Sequence, residues 1–322
     1  MSFCFPACEP AITELVGFNA PDIIKSYVAA FMTAVPTGSS ILTSAGGFSM
    51  REFMATKAQA GRGPPQPADQ WVLIYHGGSP AKFKGRAEFL RLMLEDAGVS
   101  YTLTGEDLYG PTGSMDAFRG TADNVKALDD VPFPVFFPPA LWHRPAKPAA
   151  QPEVYINQVA ACMVYLGEKL GYTPANAAER ARADCITQNA LDLISAGRLS
   201  FHPVKGAMSY HEQKAEGDAA SKEFATARLQ MWLQHFEKVL KRNPSPANPV
   251  AGGANITYAD FALWHVLDAT KAQFDTEFYG LAWTSAEIPS LKAYHTWFGA
   301  RQSLKAYFSS ERCPPWAGDS MM

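Results

Sequence analysis

Residues 131–166 read VPFPVFFPPALWHRPAKPAAQPEVYINQVAACMVYL. An apolar strand is expected over Phe133-Pro134-Val135-Phe136, with a proline near its start. A proline-rich loop follows, then a short strand at Val154-Tyr155-Ile156, then Asn157-Gln158 and a helix beginning near Val159. Proline cannot donate a ladder hydrogen bond, so Pro134 marks an edge, a bulge or a cis bond. A helix start offers unpaired backbone N–H groups and a partial positive charge, which suit a carboxylate.

Working outward, Trp71-Val72-Leu73-Ile74-Tyr75 has the composition of a strand. A loop with Gly77-Gly78 and Pro80 leads to a helix over 86–97, whose Leu90, Met93, Leu94 and Ala97 share one face. Gly98 stops it, and a second strand is expected over 99–103. Residues 104–130 are polar and glycine-rich, with one short helix near 123–128. After Gly171 the pattern is helical throughout, with helices expected over 179–194, 224–240, 258–270, 288–300 and 303–309. Thr257-Tyr258-Ala259-Asp260 forms a capping box at the start of the third of these. Residues 60–70, AGRGPPQPADQ, have linker composition, and the stretch before them holds one helix, over 22–34. The order β-α-β then β-β-α is the thioredoxin-like plan. The fold class is therefore an α/β thioredoxin-like domain, 71–170, followed by an all-α helical bundle domain, 171–322. Residues 1–70 form an N-terminal extension and linker.

Hydrophobic residues make up 47% of the 322, charged residues 18%, and the net charge is −3. That charge supplies no strong attraction to nucleic acid. No apolar run reaches the roughly 20 residues of a membrane-spanning helix. The five cysteines, Cys4, Cys8, Cys162, Cys185 and Cys313, form no C-x-x-C pair, and the histidines lack metal-ligand spacing. A reduced cytoplasmic protein without a metal is expected.

Taken together, these motifs resemble the cytosolic glutathione transferases of the Tyr type, with an alpha/sigma-like pattern, over about residues 71–316. The resemblance implies glutathione as co-substrate, a small electrophile as the second substrate, and a homodimer. Tyr75 and Gly85-Arg86-Ala87-Glu88 match the tyrosine of the first strand and the family's GRAE helix start. Tyr75 is then the catalytic residue, bonded to the glutathione sulfur. Nine residues separate Tyr75 from Gly85, a longer loop than the family's pattern.

The resemblance also implies that Pro134 is cis, that the Phe133 backbone holds the cysteinyl part of glutathione, and that Arg86, Gln158 and Val159 complete its site. Val159 stands where the family has serine, keeping the backbone N–H and losing the hydroxyl. Asp184 falls where these dimers reach the glutamyl amine in the neighbouring subunit. Tyr294, Trp297 and Phe298 are candidate walls for the electrophile pocket. A second expectation is a non-catalytic scaffold of the same fold, docked through residues 1–70 to a protein partner such as a cytoskeletal or other large assembly.

Overall fold

The structure, a computed structural model, describes residues 69–75, 83–104, 133, 135, 138–146, 152–206, 208–243 and 249–316. The expected helices at 22–34 and 123–128, Pro134, and all but the last two residues of the 1–70 extension lie outside these residues. The first half contains β1 (Gln70–Ile74), α1 (Glu88–Asp96), β2 (Thr102–Thr104), β3 (Ala140–Arg144), β4 (Val154–Asn157) and α2 (Val159–Leu170). Its sheet has the order β2-β1-β3-β4. β2 runs parallel to β1, while β3 runs antiparallel to both β1 and β4. Side chains alternate across a strand. Trp71, Leu73 and Tyr75 therefore join the core that holds α1 and α2, while Ile74 packs with Ala140 and Tyr155 on the opposite face.

The strand expected at 133–136 is corrected by this topology. Phe133 is 59% exposed, and neither it nor Val135 belongs to a strand. The strand lies at Ala140–Arg144, which has the more polar sequence. His143 makes that possible. It is buried, bonds Tyr165 through Nδ1 at 2.6 Å and Asp69 through Nε2 at 3.3 Å, and stacks on Trp71 with ring centres 3.9 Å apart. A buried polar side chain is tolerated when its partners are supplied.

The second half consists of α3 (Ala177–Phe201), α4 (Lys214–Thr226), α5 (Arg228–Leu240), α6 (Tyr258–Phe274), α7 (Pro289–Gly299) and α8 (Gln302–Phe308). Asn176 caps α3 by accepting the Glu179 N–H at 2.9 Å. The single helix expected over 224–240 is two helices, broken at Ala227, where φ is −116° and ψ −77°. The central α6 is buried along nearly its whole length, as its all-round apolar sequence requires. Its Asp260 accepts the N–H groups of Thr257 and Val250, both at 2.7 Å, and the Tyr294 hydroxyl at 2.9 Å. Among the described residues no helix is long and apolar enough to cross a membrane.

His265 on α6 is fully buried, and neither ring nitrogen has a hydrogen-bond partner among the described residues. Burial, aided by the Lys84 charge, pushes its pKa down to about 3. The unfolded chain takes up this proton near the ordinary value of about 6.5, while the folded chain does not. The stabilising contribution is thus complete above about pH 6.5 and is lost as pH falls toward 3, at up to about 1.4 kcal/mol per pH unit. Urea denaturation across this range is expected to show a steeper acid loss in the parent than in His265→Phe. Equal slopes would refute the assignment.

Candidate functional site at one end of the sheet

Strand register brings the candidate residues together. Ile74 pairs with Ala140, and Ala140 pairs with Asn157. The residues that follow or precede these three, Tyr75, Pro139 and Gln158, therefore sit at the same end of the sheet. With strands about 4.8 Å apart, Tyr75 and Gln158 flank a gap of about 10 Å spanned by β3. The α1 and α2 helices both begin at this end.

Tyr75 is buried, and its hydroxyl accepts the Arg86 N–H at 3.0 Å. Gly85 permits this approach, because a Cβ there would collide with the Tyr75 ring and hydroxyl. The long loop after Tyr75 therefore does not separate the tyrosine from the Gly85-Arg86 turn. Burial pushes the phenol pKa up, against the Arg86 backbone bond and the charges of Arg86, Arg91 and Arg198. The phenol stays protonated at neutral pH. Its bond to Arg86 uses a lone pair, not the proton.

Gln158 precedes α2 with φ +69° and ψ 113°. A non-glycine residue in that region carries strain of about 1–3 kcal/mol, which persists only where surrounding structure enforces it. Its side chain does not cap the helix, so the first N–H groups of α2 lack that partner. Val159, the first residue of α2, is buried and packs against the core. The prolines entering β3 are Pro138 and Pro139, joined by a cis peptide bond. Pro138, not Phe133, is the residue that directly precedes a cis proline next to β3 among the described residues. Proline offers a carbonyl there and no N–H.

The third side is α3. Arg86 Nη2 donates to Ser195 Oγ at 2.7 Å. Arg198 and Leu199 lie three and four positions on, so they share Ser195's face of the helix. Leu199 is exposed, and the Arg198 charge acts on both Tyr75 and Arg86. Among the described residues neither arginine has a carboxylate at ion-pair distance. Sequence reading missed these three residues, whose signal was a polar and apolar pair one turn after Ser195.

The residues chosen for the electrophile pocket sit elsewhere. Tyr294 and Phe298 are fully buried, and Tyr294 is bonded to Asp260. Half-buried Trp297 lies beside both, its ring tilted 48° to Tyr294 and edge-on to Phe298. Tyr294 and Phe298 belong to the packing of α7 on α6. Asp184 is exposed on α3, and its Oδ1 accepts the Tyr258 hydroxyl at 2.5 Å. Among the described residues no cluster of histidine, cysteine or carboxylate side chains has metal-binding form.

Residues 200–311 match the family model described as the C-terminal domain of glutathione S-transferase. The chain is 28% identical over 229 residues to glutathione S-transferase P 1 of Xenopus laevis, spanning 71% of this chain and 89% of that protein. It is 24% identical over 233 residues to a glutathione S-transferase of Plasmodium falciparum, spanning 71% and 92%. The structure of a pi-class glutathione S-transferase from Onchocerca volvulus is similar with a TM-score of 0.51 at 22% identity, over 74% of this chain and 92% of that one. These comparisons support the glutathione transferase superfamily. The fold is a thioredoxin-like domain followed by an all-helical domain.

Proposed function

We propose that this chain conjugates glutathione to a small electrophile. The observation that carries the reading is the strand register, which sets Tyr75, Pro138–Pro139 and the start of α2 at one end of the sheet. Residues 71–170 are the glutathione-binding domain and 171–322 the helical domain. The γ-glutamyl carboxylate lies at the start of α2, where backbone N–H groups and the helix dipole favour an anion. Gln158 is held in its strained conformation to present its side chain there. The cysteinyl sulfur reaches Tyr75, whose protonated phenol donates to the thiolate. The Arg86 and Arg198 charges favour the same anion.

The thiolate is the nucleophile; a free thiol near pKa 8.5 is only a few per cent ionised at neutral pH. It forms a carbon–sulfur bond to the electrophile, and the leaving group departs with its electron pair. Ser195, Arg198 and Leu199 of α3 form the wall against which the electrophile rests. Exposed Asp184 serves the glutamyl amine of a partner subunit, so the working unit is a homodimer, and its compartment is the cytoplasm. The scaffold alternative has no observation among the described residues in its favour.

Val159 lacks the hydroxyl that would complete the carboxylate site. Restoring it with Val159→Ser adds a hydrogen bond to a charged group, worth about 1.5–3 kcal/mol, so calorimetry is expected to show glutathione binding tightened about ten- to hundredfold. Unchanged affinity would place the carboxylate somewhere other than the start of α2.

A further inference from the structure

The end of the described chain is fastened to the residues that hold Tyr75. The Lys84 N–H donates to the Pro315 carbonyl at 2.9 Å. Trp316 Nε1 donates to Asp268 Oδ2 at 3.1 Å, and the Lys84 ammonium reaches the same oxygen at 3.4 Å. That ammonium also lies 4.9 Å from the centre of the Trp316 ring. The indole stacks on His265 with ring centres 5.2 Å apart and planes 19° from parallel. The other Asp268 oxygen is bonded to His295 Nε2 at 3.2 Å. Burial works to raise the Asp268 carboxyl, but the His295 bond, the Lys84 charge and the indole hold it down at about 2. It is therefore a permanent anion at the centre of the cluster.

A segment with little regular structure is ordered where it is tied down, and residues 315–316 are tied to Lys84 and Asp268. Lys84 is the residue directly before Gly85 and Arg86, whose backbone meets the Tyr75 hydroxyl. The loop side of residues 84–86 has little regular structure of its own, since α1 begins only at Glu88. Its position is set by what it touches: Tyr75, Ser195 of α3 through the Arg86 side chain, and the Asp268–Trp316 cluster. A backbone bond, an ion pair and a cation–π contact all converge on Lys84. Acting together, they favour one position of this loop over others.

We propose that residues 313–316 act as a latch that holds residues 84–86 in register with Tyr75, with Trp316 as a positioning residue for the Tyr75 hydroxyl. The idea rests on the reading of Tyr75 as the donor to the glutathione thiolate. It goes beyond that reading by making the geometry of the donor depend on a side chain at the far end of the helical domain.

Amide hydrogen exchange on the full chain, read by mass spectrometry, tests the latch without any ligand. In Trp316→Ala, the peptide covering 84–90 is expected to exchange at least tenfold faster. The start of α2, which the latch does not touch, is expected to match the parent. Trp316→Phe keeps a stacking ring and loses the indole N–H, so it is expected to fall between the two. It also serves as the readout if Trp316→Ala does not fold. Exchange at 84–90 equal to the parent in both variants would overturn the latch. So would an equal acceleration in every segment, which is the mark of general destabilisation. A second readout is the pKa of the thiol in bound glutathione, expected to rise in both variants while that of Lys305→Ala, outside the cluster, does not. If the parent binds no glutathione, the functional reading fails, and exchange alone still decides the latch.

Discussion

Tyr75→Phe is expected to lower kcat/KM for conjugation by about ten- to hundredfold while leaving the fold intact. The change removes one hydroxyl. What catalysis loses is a hydrogen bond to a charged sulfur, worth about 1.5–3 kcal/mol. The same energy corresponds to a rise of about one to two units in the thiol pKa. Among what stability loses is the bond from the Arg86 N–H, an ordinary neutral hydrogen bond of about 1 kcal/mol. The two effects separate cleanly. Steady-state kinetics over a range of pH should show the loss shrinking as pH rises and the variant's thiol ionises without help. A loss that is independent of pH would mean that Tyr75 orders the loop and does not act on the sulfur.

The largest expected effect on stability comes from a neighbour that chemistry does not use. Glu88 and Arg91 form an ion pair at 3.0 Å with each side chain about 1% exposed. The Tyr307 hydroxyl donates to both Glu88 oxygens, at 2.8 and 2.9 Å, and accepts from Arg91 Nη1 at 3.4 Å. Glu88→Ala leaves a buried guanidinium without its anion and a buried phenol without its acceptor. Removing one partner of a buried pair costs about 3–5 kcal/mol. That is a large share of the roughly 5–15 kcal/mol that holds a domain folded. Because Tyr307 lies on α8 and Glu88 on α1, the loss also loosens the attachment of the two halves. Urea denaturation should show it directly, and Glu88→Gln, which keeps an acceptor for Tyr307, should lose less. A cost below about 1 kcal/mol for Glu88→Ala would mean that solvent reaches this cluster.

The fold was legible where local chemistry and tertiary role agree. The apolar run at 71–75, the strand at 154–157, the helix starting at Val159 and the capping box at Thr257 all announce themselves by pattern. β3 was not legible, because His143 and Arg144 give it a polar sequence and its buried histidine is satisfied by Asp69 and Tyr165, far away in the chain. The apolar FPVF run at 133–136 looked the better strand. The break at Ala227 leaves no trace in composition, since alanine and arginine continue a helix readily.

Motif order singled out Tyr75, Arg86 and Gln158, and the structure sets Tyr75 against the Arg86 N–H and Gln158 at the same end of the sheet. Tyr294 and Phe298, expected at the pocket wall, are buried in the core, because aromatic residues at helical spacing mark a core as well as they mark a pocket. Ser195, Arg198 and the Lys84–Asp268–Trp316 cluster depend on contacts between distant segments, which spacing along the chain cannot reveal. GRAE itself was half read. Its arginine meets the Tyr75 hydroxyl through its backbone, while its glutamate holds α1 to α8.

The central claim is that glutathione lies across the end of the sheet with its sulfur at Tyr75. Ultraviolet titration of the thiolate in the parent complex with glutathione tests it most directly. The account predicts a bound thiol that ionises about one to two units below the free value near 8.5, and a return toward that value in Tyr75→Phe. A thiol that titrates as it does in free solution, in the parent as in the variant, would contradict it.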